Sequence, residues 1–161
     1  MLGAPDTSGN LVFVNGSFDH VDWDEVHAAP ASIKRVTFKS SILNADIAAW
    51  LDKQESVERI SIVGCTHFDR ILRSPILQAR VVGLSLFDLC LNEDDVRLIE
   101  KFSQLSGLGL EGSHISDQEV IDIAAMKSLR MLGIHDTLVS REAVLKIREA
   151  HPTLILDTDV Y

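Results

Sequence analysis

Basic charge is in the minority in this chain. Lys and Arg number 15 against 24 Asp and Glu, giving a formal net charge of −9 and a pI near 5.0. That balance argues against nucleic acid or an anionic membrane as the partner. Long apolar runs are missing too, and none approaches the roughly 18 residues that span a bilayer. The opening MLGAPDTSGN has neither a positive n-region nor an apolar h-region. It does not read as a signal peptide, and residues 1–10 are expected to form a flexible polar tail. Two cysteines occur, Cys65 and Cys90. In a chain without an export signal, reduced thiols in the cytoplasm are the expectation.

The motifs of common chemistries are absent as well. The six histidines His20, His27, His67, His114, His135 and His151 form no H-x-x-x-H or H-E-x-x-H, and there is no C-x-x-C, so no metal is expected. There is no G-x-S-x-G, G-x-x-x-x-G-K or G-x-G-x-x-G. No catalytic residue and no cofactor is nominated.

Against these absences stands a repeat. Leu129, Leu132 and Ile134 show the spacing L-x-x-L-x-L. Steps of 24 residues back lead to Leu105, Leu108 and Leu110, then Val81, Leu84 and Leu86, then Val57, Ile60 and Ile62, then Ile33, Val36 and Phe38. All fifteen positions are large and apolar, in a chain that is 46% hydrophobic, so chance agreement is very improbable. One further step reaches Val12 and Val14, expected in a first strand. Three more apolar columns follow each strand. They are Leu43, Leu91, Ile115 and Val139; then Leu72, Val96, Val120 and Val144; then Leu51, Ile99, Ile123 and Ile147. Period two followed by helical spacing makes each unit a strand, a turn and a helix. Asn44, Asn92, Ser116 and Ser140 fall where N-caps belong, and Ser116 with Glu119 has the capping-box pattern. The third unit departs: His67 and Phe68 replace the aliphatic and the cap, and Pro75 sits within the expected helix. A shortened helix, or a late start at Ser74 with Pro75 first, is expected there.

These residues resemble the leucine-rich-repeat superfamily over residues 33–152, most closely its short planctomycete-type bacterial variety, in which a small hydroxyl residue replaces the asparagine after the strand. Here that column reads Ser17, Ser41, Cys65, Leu89, Ser113 and Thr137. Leu89 breaks it with Cys90 one place later, which suggests a small local shift. The resemblance implies an α/β fold: a right-handed leucine-rich-repeat solenoid with a parallel sheet on the concave face and helices on the convex face. Residues 11–161 would form one such domain of about six units of 24 residues and a C-terminal cap strand around Leu154 to Leu156. Stacking is also what the physics asks for, because a lone unit cannot bury its apolar face. Val21, Trp23 and Val26 are expected to cap the first strand. Asp157 and Asp159 would discourage another strand at the far end.

Residues between the strand leucines should point away from the core. They form three columns: Arg35, Arg59, Gly83, Gly107 and Met131; Thr37, Ser61, Ser85, Gly109 and Gly133; Lys39, Val63, Phe87, Glu111 and His135. The uniformly small middle column reads either as a groove for another chain or as relief of crowding on a concave face. Val63, Phe87 and Met131 are apolar residues expected to face solvent, a common mark of a partner site. Glu111 and His135 are column neighbours and read as a surface pair. Lys34, Arg35, Lys39 and Arg59 make one end of the face basic, with Glu58 interleaved. The family is overwhelmingly one of interaction modules, so the resemblance implies a non-enzymatic protein-binding function on the concave face. The partner expected is a protein with an acidic segment beside an apolar anchor. The alternative is a structural or regulatory subunit docked through its helices or open ends, where self-association would also occur.

Overall fold

The computed structural model describes residues 9–16 and 33–160. The expected cap residues Val21, Trp23 and Val26, with Ser17, His20 and His27, lie outside them. The described chain is α/β, with one sheet of seven parallel strands ordered as they occur in the sequence. The strands are β1 (Asn10–Val14), β2 (Arg35–Lys39), β3 (Arg59–Val63), β4 (Gly83–Phe87), β5 (Gly107–Gly109), β6 (Met131–Gly133) and β7 (Ile155–Asp157). Between them lie α1 (Ala45–Lys53), α2 (Asp69–Leu72), α3 (Pro75–Arg80), α4 (Glu93–Ile99), α5 (Asp117–Ala124) and α6 (Arg141–Ala150). β1 already begins inside the stretch read as a tail.

From β2 to β7 every strand pairs with its neighbour at an offset of 24 residues. All fifteen repeat positions are buried. They share one core with the helical columns, including Leu51, Ile99, Ile123 and Ile147. Before each strand one carbonyl anchors the next unit: Lys34 O accepts from Glu58 and Arg59, Glu58 O from Val82 and Gly83, and Val82 O from Ser106 and Gly107. The ladder is thus continuous from unit to unit.

The 24-residue step fails at its first use. β1 pairs with β2 at an offset of 25, matching Leu11 with Val36 and Phe13 with Phe38. Leu11 and Phe13 are 2% and 0% exposed, whereas Val12 and Val14 are 38% and 42% exposed. One extra residue in the first connection flips every side chain of β1 to the other face. The expectation for Val12 and Val14 is therefore corrected in phase. Aromatic packing sets the register, with the Phe13 ring stacked on Phe38 at 5.1 Å and edge-on to Trp50 at 5.7 Å.

The caps follow the sequence closely. Asn44, Asn92, Ser116 and Ser140 each accept from a first-turn amide. Ser116 and Glu119 form a capping box, and so do Asn92 and Asp95. In the third unit the helix breaks into α2 and α3, and Ser74 caps α3 with Pro75 at its first position.

The column after the strands behaves as one set, without the shift expected at Leu89. Ser41 and Thr137 donate to carbonyls of their own unit, to Lys39 O and Ile134 O. Leu89 cannot donate, yet it is buried in register, with its amide bonded to the Ser113 hydroxyl 24 residues on. Ser113 in turn donates to Leu86 O. The neighbouring hydroxyl supplies what Leu89 lacks, so no slip is needed. Cys65 is buried in this column, Cys90 is exposed, and both thiols are free. Burial pushes the Cys65 thiol above its ordinary pKa. We expect titration of the native chain with a thiol reagent to modify Cys90 quickly and Cys65 only on unfolding, about two thiols per chain in all. Two fast thiols would show that Cys65 is not enclosed.

A second regular feature is backbone rather than side chain. Asn15, Ser40, Gly64, Asp88, Gly112 and Asp136 all have positive φ, between 48° and 68°, just beyond the strands. Glycine, Asn and Asp tolerate this left-handed turn best. The final two strands of the repeat set stop one residue earlier than expected, at Gly109 and Gly133 rather than Leu110 and Ile134.

Candidate functional site: the open face of the sheet

Alternation leaves one sheet face for the core and the other for solvent. The second face carries a groove of about 560 Å³ lined from β2 through to β7. Of the fifteen residues in the three columns read from the sequence, all but His135 line it, among them Arg35, Thr37, Lys39, Arg59, Ser61, Val63, Ser85, Phe87, Gly109, Glu111 and Met131. His135 does not. Its Nε2 instead pairs with Asp157 at 2.7 Å, and Asp157 does line the groove. The expected pairing of Glu111 with His135 is replaced by this contact. The Asp157 hydrogen bond is the main cause that raises the His135 pKa above its usual value. Asp157 was readable in principle, because it stands 24 residues after Gly133 and pairs with it in register. The hydrophobic pattern offers no cue to it.

The charges divide along the sheet. Arg35, Lys39 and Arg59 stand on β2 and β3, and none of them has an ion-pair partner among the described residues. Lys34, read from the sequence as part of this basic set, pairs with Glu58 at 2.9 Å. Glu111 and Asp157 lie towards the other end of the groove. Val63, Phe87 and Met131 supply apolar walls between and beyond them.

The small middle of the face has a specific use. A Cβ placed on Gly109 would lie 2.6 Å from Glu111 Oε2 and 2.8 Å from Phe87 Cε1, and one on Gly133 would lie 2.6 Å from Glu111 Oε1. At Gly83 the Arg59 side chain approaches similarly, with Cγ at 3.2 Å and Nη1 at 3.6 Å. Long side chains of neighbouring strands thus lie flat across these glycines. Gly107 differs, with nothing within 4 Å of its would-be Cβ. It is the open floor of the groove.

Among the described residues no group of three His, Cys, Asp or Glu could hold a metal ion. No helix among them is long and apolar enough to cross a membrane. Compared with known proteins, the chain matches no protein family, no curated protein and no solved structure.

Proposed function

We propose that the chain is a right-handed solenoid of the leucine-rich-repeat kind and works as a non-enzymatic protein-binding module. On this reading the grooved face is the concave side, the helices form the outside, and a protein partner docks in the groove. The 24-residue register from β2 to β7 and the sequential strand order support the repeat reading. The observation that carries the binding role is the groove itself, which crosses six strands and brings cations with no ion-pair partner among the described residues beside apolar walls. Such a surface suits a partner with an acidic segment next to an apolar anchor. The anchor supplies most of the affinity, and the charges supply orientation and on-rate. Nucleic acid and membrane do not suit a chain of net charge −9, and the two free thiols favour the cytoplasm.

The test compares Phe87→Ala with the double change Lys39→Glu and Arg59→Glu, using the partner recovered with the intact chain. Both variants should fold. The first should raise the off-rate, and the second should lower the on-rate, most strongly at low salt. If both bind as the parent does, the groove is not the site.

One observation favours a second reading, a subunit docked permanently through its helices or an open end. Leu138 is 80% exposed, and Leu145 and Ile155 nearby in the last unit are also exposed. Light scattering after size exclusion separates the two readings: a permanent subunit elutes with its partner or as an oligomer, whereas a module with a reversible partner elutes alone.

A further inference from the structure

A carboxylate in the groove lacks what a carboxylate needs. Glu111 Oε2 is shut off from solvent and meets no hydrogen-bond donor among the described residues, and it shares the space over Gly109 with the edge of the Phe87 ring. An acceptor removed from water without a donor is costly. Across the open floor at Gly107 lies the reverse case. The Arg59 side chain reaches over Gly83 and forms no ion pair among the described residues. The two opposite charges face a common groove, and no ion pair joins them.

The separation follows from the sheet. Arg59 reaches above β4, and the Glu111 carboxylate lies above β5 and β6. Gly83 pairs with Gly107, and Gly109 and Gly133 stand two residues further along, so the gap is one to two strand spacings across the sheet and about 6.6 Å along it, roughly 8–12 Å in all. Side chains two apart on one face of an extended peptide start about 6.6 Å apart, and long ones splay to span such a gap. We propose that the groove recognises an extended peptide segment of the partner that carries a basic and an acidic side chain two residues apart. Glu111, flanked by Phe87, takes the ammonium or guanidinium, and Arg59 takes the carboxylate. The residue between them passes over Gly107. The inference rests on the groove being the binding face, and it adds a cation subsite to the acidic recognition proposed above. A basic group entering beside Glu111 would draw the carboxylate outward and give Oε2 its missing donor.

The test uses the full chain and four capped, fluorescent heptapeptides, identical except at a centre of Lys-Ala-Glu, Lys-Ala-Gln, Gln-Ala-Glu or Gln-Ala-Gln. Binding is read by anisotropy at physiological salt. The doubly charged peptide should bind roughly tenfold more tightly than either singly charged one. Glu111→Gln should erase the preference for Lys and keep that for Glu, and Arg59→Gln should do the reverse. The acidic chain attracts any cation weakly, but Glu111→Gln changes its net charge by one only, so a lost preference is local. Gly107→Val fills the open floor and should abolish binding of all four peptides without lowering the melting temperature. If Glu111→Gln keeps the full preference for Lys while Gly107→Val blocks binding, the groove stands and the cation subsite is overturned. If Gly107→Val changes nothing, the groove itself falls. No binding of the doubly charged peptide up to about 1 mM also overturns the proposal.

Discussion

Phe13→Ala is expected to destabilise the chain by about 3–5 kcal/mol, and Val14→Ala by less than about 0.5 kcal/mol. The two residues are adjacent in β1 and occupy opposite faces of it. Phe13 is fully buried against the Phe38 and Trp50 rings. Its loss removes two ring contacts and leaves a cavity that the backbone of an end strand fills only in part. Val14 faces outward and is 42% exposed, so truncating it empties no enclosed site. Chemical denaturation of the two variants reads the register of β1 directly. A larger effect for Val14 than for Phe13 would restore the 24-residue step at the first unit and reverse the phase of that strand.

Leu108→Ala should cost about 2–5 kcal/mol for a different reason. Leu108 is the centre of the three-residue β5, in register between Leu84 and Leu132, and is 2% exposed. The core on either side is built of units that touch mainly their neighbours, so an emptied site is met by two interfaces at once. Relaxation from one side opens a gap on the other. A change below about 0.5 kcal/mol would mean that Leu108 is not part of that core.

Much of this architecture was legible because it rests on local periodicity. The apolar columns from Ile33 to Ile147, the caps at Asn44, Asn92, Ser116 and Ser140, and the broken helix at Ser74 and Pro75 each follow from side-chain size and hydrogen-bonding within a few residues. Two mistaken expectations share a cause. Val12 with Val14 and Leu11 with Phe13 both alternate acceptably, and only the packing of Phe13 on Phe38 and Trp50 chooses between them. At Leu89 the column looked broken because the hydroxyl that serves Leu86 O comes from Ser113 in the next unit.

The site divides in the same way. Which residues face away from the core is a consequence of strand alternation, and all of the fifteen column residues but His135 line the groove. Long flexible side chains then decide what that face offers, and their direction depends on neighbours 24 residues away. Glu111 turning inward over Gly109 and Gly133, Arg59 crossing Gly83, and His135 choosing Asp157 are outcomes of space and charge between strands. By itself, then, the sequence determined the strand–turn–helix unit, its period and its caps, because these depend on residues close along the chain. Only the tertiary structure decided the phase of β1, the partners of the groove charges and the vacancy at Gly107, because each depends on which atoms a separate strand brings alongside.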